Sequence, residues 1–359
     1  MAGRRAADDL CGDGGGAAAA SPRPDGERMM TGLKSHAQLL LALAVVLLLP
    51  LCMQSGSLAT EVLIYSLAVL GCNLLLGFTG LLSFGQGIFF GLGSYAVGIL
   101  LTRTGLPMPL ALLAAMVVGA LGATLVGWFA IRQRGTYFVM LTLAFAQMFY
   151  FLAYSLPELT GGDNGLLDVP RPPLSVAGME LMSLATPWQF YAFVAVCFMA
   201  VFWLLLRVTN SVFGRTLLAI RDNEARAMAV GYNVRLFKLS AFAISGAVTA
   251  LAGAFLAMMT GIAPLSSIEY HSSEMILVMT VIGGTGNLFA SVLGAAFYVL
   301  FADWLSTLWP RWLMLLGFLL IAVSLFMQKG LWGLGVRIWL ALRRRPAGSE
   351  PAATKEGSA

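Results

Sequence analysis

The residues of this chain that could do covalent chemistry are few and widely separated. His36 and His271 lie far apart and match no zinc-ligand spacing. The four cysteines show no CxxC spacing, which predicts free, buried thiols rather than a disulfide framework: Cys11, Cys52, Cys72 and Cys197. There is no GxSxG, HExxH or GxxxxGK[ST] motif. We therefore expect no catalytic residue, no metal ligand, no P-loop and no cofactor bound by the chain itself.

The other candidates are polar groups and helix breaks inside long apolar stretches, where a polar group is costly and marks a function. Two glycine-rich breaks interrupt such stretches, at 77–80 (Gly-Phe-Thr-Gly) and at 283–287 (Gly-Gly-Thr-Gly-Asn). An interrupted helix leaves backbone N–H and C=O groups free to meet a polar ligand. Because they follow the first break, Ser83, Gln86 and Gly87 are the first candidates for a translocation path.

The second break and several isolated polar residues complete this candidate path. Its further members are Asn73, Gln147, Glu274, Gly283, Gly284 and Gly286. Each has a simpler alternative: interhelical hydrogen bonds for Asn73 and Gln147, and a carboxylate at the membrane surface for Glu274, as for Glu61 and Asp303. Most glycines of 77–98 are explained by close helix packing.

The elements that position these groups follow from the composition. The 359 residues are 59% apolar and 11% charged, with a mean hydropathy of +0.84. An ordinary soluble domain is about 25% charged. The shortage of charge excludes a water-soluble globule, a disordered chain and a nucleic-acid binder with a broad basic face. The class predicted is an all-α polytopic membrane protein.

Charge-free windows place the helices. A spanning helix needs about 20 mostly apolar residues, so the uncharged stretch 62–102 is too long for one crossing. Splitting it and 275–302 at their glycine breaks predicts ten spans, of which the eighth is short enough to be broken or re-entrant. They are 37–52, 60–77, 84–102, 109–131, 136–154, 188–206, 238–260, 272–283, 289–308 and 312–328.

The basic residues test this topology through the positive-inside rule. With ten spans and both termini cytoplasmic, all but three of the 22 basic residues fall on the inner side. The exceptions are Arg103, Arg171 and Arg311. The net charge of +5 is then a topology signal, and no nucleic-acid partner is needed to explain it.

The two ends differ in composition from the rest. Residues 1–34 are rich in Gly, Ala, Pro and charge, which predicts a disordered tail, with Met29 or Met30 as a candidate true start. Residues 341–359 predict a polar C-terminal tail. The transmembrane domain is therefore placed at 35–340.

The largest inner loop, 208–242, alternates apolar and charged residues at helical spacing. Asp222 or Asn223 is suited to cap a helix start and Gly231 to end it, which predicts a short helix over Glu224–Val230. One interpretation is a docking helix held by a cytoplasmic partner. A helix on the lipid surface or a solvated loop is the alternative.

This loop resembles the coupling segment of ABC-importer permeases of the branched-chain amino acid type. The similarity extends from Gly214 through the Ala-Ile-Arg-Asp run to Phe242, although Ala225-Arg226 is bulkier than the family pattern. The resemblance implies that seven residues couple the chain to an ATPase: Arg215, Arg221, Asp222, Glu224, Ala227, Gly231 and Lys238.

Four more segments, in the family's order, carry the resemblance over nearly all of 37–340. They are 77–98, 134–147 with its Thr-Leu-Ala-Phe run, 159–166 and 272–297. The long outer loop and the Thr-Leu-Ala-Phe-x-Gln run are similar to the M-type (LivM-like) subunit of the pair.

The resemblance implies a subunit of the bacterial inner membrane that assembles with a homologous permease, two cytoplasmic ATP-binding subunits that hold ATP and Mg²⁺, and a periplasmic substrate-binding protein. Its cargo would be branched-chain or other apolar amino acids, whose carboxylate suits a helix N-terminus and whose ammonium suits free carbonyls. Urea, amides or small aromatic acids are the alternative cargo. An ATP-independent secondary transporter would need an acidic residue in mid-membrane, which the ten-span topology lacks. The acidic outer loop 155–187 either contacts the binding protein or is solvated.

Overall fold

A computed structural model describes residues 24–53, 55–176, 179–182, 184 and 186–308, together with short pieces between 311 and 333. Residues 1–38 group as a separate unit, and the membrane body begins at Leu39. The predicted C-terminal tail 341–359 and most of the tenth span, 312–328, lie outside the described residues.

The described chain is built mainly from helices, joined by turns and by one long outer loop between α6 and α7. The helices are α1 (Pro24–Cys52), α2 (Gly56–Asn73), α3 (Gln86–Ile99), α4 (Met108–Ala130), α5 (Thr136–Tyr154), α6 (Pro157–Thr160), α7 (Pro187–Asn210), α8 (Val212–Asp222), α9 (Glu224–Ala229), α10 (Val234–Thr260), α11 (Tyr270–Gly283) and α12 (Leu288–Leu308). π-Helical turns extend α2 over Leu74–Thr79 and α3 over Leu100–Thr104. A small antiparallel hairpin in the outer loop pairs β1 (Leu174–Val176) with β2 (Met179–Met182).

The structure confirms the all-α membrane class but not the number of spans. Seven helices of the described residues are long and apolar enough to cross a bilayer: α2, α3, α4, α5, α7, α10 and α12. The first predicted span is the apolar part Ala37–Leu51 of α1, and the eighth is the 14-residue α11. The short eighth segment ends where predicted, at the second glycine break.

The first helix begins earlier than the sequence indicated. It starts at Pro24, so residues 24–34 of the predicted disordered tail are helical, and only 1–23 lie outside the described residues. Proline is well suited to the first turn of a helix because it lacks the N–H that would stay unpaired there.

Helix α10 lies at the centre of the bundle and packs closely on α2, α3 and α4. Glycines make this approach possible. A methyl group added at Gly93 or at Gly253 would overlap the backbone of the facing helix, at Ala250 and Phe90 respectively. Small residues at helix interfaces let backbones meet in a membrane, where apolar burial gives no advantage over lipid. The close packing fixes α2 and α3 on both sides of the first break.

Candidate functional site

The coupling segment, residues 212–233, consists of α8, the linking residue Asn223, α9 and the turn 230–233 that leads into α10. The Asn223 side-chain oxygen accepts a hydrogen bond from the Arg226 N–H at 2.9 Å, so this residue, and not Asp222, caps α9. Gly231 ends the helix with φ +94°, a left-handed conformation that favours glycine. The predicted helix over Glu224–Val230 is thus observed one residue shorter.

Two ion pairs fasten α9 to the membrane helices. One carboxylate oxygen of Glu224 lies 3.0 Å from Nζ of Lys238 in the first turns of α10, and Lys238 is almost fully buried. The other lies 3.4 Å from the guanidinium of Arg134 in the turn between α4 and α5. Since a buried ammonium is costly unless paired, Glu224 is the residue that allows Lys238 to lie there. The charged groups of Glu224 and Lys238 therefore pair within this chain.

An apolar cluster closes the inner side of the coupling segment. Ile220 of α8, Ala227 of α9 and Val234 of α10 are buried together, with Phe237 packed against them. Ala227, one of the predicted coupling residues, is 6% exposed and packs against this cluster. Small side chains at 225, 227 and 229 alternate in a six-residue helix, which is too short for spacing to tell its faces apart.

The outer side of the coupling segment is exposed and partly apolar. Met228 is 45% and Val230 is 72% exposed, although both lie outside the long apolar helices. Of the predicted coupling residues, Arg215, Arg221, Asp222 and Gly231 are also exposed. The sequence analysis did not name Met228 or Val230 as contacts. The sequence nevertheless indicates an exposed contact here, because Met228 and Val230 are apolar residues at the end of a charged helix that has no buried face to hold them both.

The first break is a change of helix type followed by an extended turn. The π-helical residues Leu74–Thr79 end at Gly80, which has φ +72°, and α3 begins at Gln86. The last carbonyls of a helix have no partner within it, so the break leaves acceptors free, as the sequence predicted. One of these, the Gly77 carbonyl, accepts a hydrogen bond from the guanidinium of Arg221 at the end of α8.

A single side chain joins the two breaks. The Asn73 amide nitrogen donates to the Asn287 carbonyl at 2.8 Å and to the Ser291 hydroxyl at 2.7 Å. Its oxygen accepts from the Gly286 N–H at 3.0 Å. Both amide hydrogens are thereby used. Asn73 therefore makes the interhelical hydrogen bonds that were the alternative prediction for this residue. These bonds connect residues more than 200 positions apart in the sequence.

The remaining path candidates near the first break are buried and bonded within the chain. Gln86 donates to Ser245 at 3.1 Å and accepts from Thr249 at 2.9 Å, both on α10. The Gly87 N–H donates to the Ser273 hydroxyl at 2.7 Å, and Ser83 accepts from Gly85. Whether Ser83, Gln86 and Gly87 meet substrate stays a prediction.

The candidates of the second break and the outer end lie apart from these. Gly283 and Gly284 are buried at the end of α11, whereas Gly286 is exposed beside Arg221. Glu274 is exposed and lies 3.6 Å from His271, one turn earlier in α11. No group of three or more metal-ligating side chains occurs within the residues that the structure describes.

Helix α5 stands out among the spans. Only 22% of its most apolar 18-residue stretch is buried within the protein. In the other six long apolar helices the buried share is 39–89%. On this exposed helix, Gln147 is half-buried and makes no hydrogen bond to the described part of the chain. An amide facing lipid is costly. The position therefore indicates a contact with protein or water rather than with lipid chains.

Residues 55–324 match the protein family described as the branched-chain amino acid transport system permease component. The high-affinity branched-chain amino acid transport system permease protein LivM of Escherichia coli K12 is 29% identical, over 86% of this chain and 77% of its own. The protein of that name from Salmonella typhimurium LT2 is 28% identical over the same shares. The autoinducer 2 import system permease protein LsrD of Escherichia coli O9:H4 is 28% identical over 63% of this chain and 66% of its own. No solved structure matches the chain.

Proposed function

The chain belongs to the branched-chain amino acid transport permease family, and from that membership we propose that it moves branched-chain amino acids inward across the bacterial inner membrane. It does so as one half of a permease pair, driven by ATP that two cytoplasmic subunits hold with Mg²⁺. A periplasmic binding protein supplies the substrate. The relatives named for branched-chain amino acid transport cover most of the chain and support this cargo above urea, amides or aromatic acids.

The proposal rests on the coupling segment. This segment has two exposed apolar residues at the end of α9 and an ion-paired carboxylate at the start of the same helix. Met228 and Val230 offer a surface that an ATP-binding subunit can cover. Glu224 connects the same short helix to α10 through Lys238 and to the α4–α5 turn through Arg134. A displacement of α9 by a bound subunit would therefore move the membrane helices as well, because the ion pairs connect them.

The translocation path lies at the exposed face of α5, between this chain and the homologous permease. The low burial of α5 and the unbonded Gln147 among the described residues support that placement. In a polytopic protein, a polar side chain on an exposed helix face is explained by a protein neighbour or a water-filled passage. The exposed apolar neighbours of Gln147 on α5, Leu143 and Phe151, suit an apolar cargo.

Replacing Gln147 with leucine is expected to reduce substrate uptake about fivefold, because a polar contact of the passage is lost. The chain itself should fold normally, since the amide has no partner among the described residues. Uptake of radiolabelled leucine by proteoliposomes measures the effect. Met148→Leu, one residue further on the same helix and 49% exposed, is the control and should retain full uptake. Equal uptake in the two variants would remove Gln147 from the path.

The cargo is tested by competition in proteoliposomes that contain the complete transporter and its binding protein. We expect excess leucine, isoleucine or valine to abolish uptake of labelled leucine, and urea or benzoate to leave it unchanged. Inhibition by urea or benzoate, with none by isoleucine or valine, would refute the branched-chain assignment while leaving the importer mechanism intact.

A further inference from the structure

Arg221, at the end of α8, is partly exposed but reaches the membrane helices. Its guanidinium donates to the Gly77 carbonyl in the π-helical turn at which the first break begins. Its side-chain carbons lie over Gly80, where an added methyl group would come within 2.8 Å of Cγ of Arg221. The side chain thus covers the end of the broken helix.

Elementary electrostatics explains why a cation occupies this place. The final carbonyls of a helix are unpaired, and the helix dipole places partial negative charge at that end. A guanidinium supplies several fixed N–H donors and stays charged at any physiological pH. Asp222, 3.6 Å away, balances part of the charge from the cytoplasmic side.

The second break meets the first at the same point. Gly286 lies beside Gly77 so closely that a methyl group on Gly77 would come within 2.5 Å of the Gly286 N–H nitrogen. A methyl group on Gly286 would lie 3.6 Å from the Arg221 guanidinium. Asn73 then holds the second break through Gly286 and Asn287. Coupling segment, first break and second break are therefore in continuous contact.

From this contact we infer that Arg221 is the positioning residue that connects the coupling segment to both membrane breaks, so that the two breaks change conformation together when the segment moves. The inference rests on the proposed function, because it presumes that ATP-binding subunits move the segment. In this inference Arg221 is not part of the docking surface. Met228 and Val230 contact the ATP-binding subunit, and Arg221 transmits the resulting displacement to the two breaks.

Thr285, exposed in the second break, provides a probe of this transmission. A single cysteine is introduced as Thr285→Cys in the complete transporter, with the four native cysteines of this chain replaced by alanine. The labelling rate with a water-soluble maleimide is measured with and without ATP and vanadate. In this parent, which carries no further substitution, we expect the labelling rate to change by about fivefold when ATP and vanadate are added.

Arg221→Met retains much of the side chain's length but removes the donors and the charge. We expect it to abolish the nucleotide response at Thr285→Cys and to lower uptake about tenfold, with ATP hydrolysis retained. Arg221→Lys restores a cation and one donor, and should recover most of the response. Arg235→Met is the charge-matched control, since Arg235 is exposed and unpaired among the described residues, and should behave as the parent.

A glycine pair covers the case in which Arg221→Met fails to assemble. Gly80→Ala and Gly105→Ala place alanine at similar left-handed φ values, +72° and +59°, so the backbone strain is comparable. The new methyl group would contact Arg221 at position 80, whereas nothing lies within 4 Å of it at position 105. We expect the nucleotide response to be lost in Gly80→Ala and kept in Gly105→Ala. A response that survives in Arg221→Met, or equal responses in the two glycine variants, would overturn the role of Arg221 alone. A parent that shows ATP-driven uptake but no nucleotide response would likewise overturn the inference alone, whereas a parent without ATP-driven uptake would refute the proposed function as well.

Discussion

Glu224→Lys is expected to uncouple ATP hydrolysis from uptake, with transport per ATP reduced about tenfold or more. The substitution brings a third cation beside Lys238 and Arg134, which now pair with Glu224 at 3.0 and 3.4 Å. Removing the partner of a buried charge costs about 3–5 kcal/mol, and a like charge adds repulsion. Helix α9 then separates from α10, so its motion no longer reaches the membrane helices. Uptake and phosphate release, measured in the same proteoliposomes, give the ratio.

The charge-reversed pair distinguishes coupling from a general loss of structure. Combining Glu224→Lys with Lys238→Glu rebuilds one ion pair in the opposite sense, and should recover a substantial part of the transport per ATP. Recovery will be incomplete because Arg134 then faces a cation. If the double variant is no better than the single one, the ion pair is not what holds the segment.

Gly77→Ala is expected to abolish uptake and to lower the stability of the chain by about 1–3 kcal/mol, the usual cost of overpacking. The added methyl group would overlap the Asn73 oxygen and come within 2.5 Å of Gly286, so the two breaks could not keep their present contact. The backbone of Gly286 cannot rotate away as a side chain would. Thermal unfolding in detergent and leucine uptake are the two measurements.

Gly85→Ala is the matched control from the same glycine-rich segment. At that position the nearest atom, the Ser83 hydroxyl, would lie 3.3 Å from the new methyl group, and φ is −91°, which any residue adopts. We expect its uptake and melting temperature to stay near those of the parent. Similar losses in both variants would mean that flexibility of the segment, and not contact between the breaks, explains the glycines.

The sequence predicted the helix ends and helix breaks that lie at charged residues or at glycines. Helix α5 begins and ends as the uncharged stretch 136–154 indicated, and α9 begins at Glu224 and turns at Gly231 as its capping residues indicated. Both glycine breaks are where the pattern placed them. These features are local, since a helix end depends on residues within one turn of it.

The contacts between distant segments could not be predicted in the same way. Asn73 was a polar residue in an apolar stretch, and nothing in its neighbourhood indicated Gly286 as its partner. The family resemblance groups Lys238 and Arg221 with the residues that couple to the ATPase. Their contacts with Glu224 and with the Gly77 carbonyl depend on how α8, α9 and α10 pack, which no spacing rule fixes. Helix α8 was missed for a related reason, since its boundary with α9 is one extended residue, Asn223.

The dependence of transport on ATP in the partner subunits tests the account most directly. Proteoliposomes holding this chain, the homologous permease, both ATP-binding subunits and the binding protein are loaded with ATP, and labelled leucine uptake is followed. We predict uptake that requires ATP and is lost when the ATP-binding subunits are omitted or when this chain carries Glu224→Lys. Uptake that continues without ATP or without those subunits would contradict the account and favour a secondary transporter.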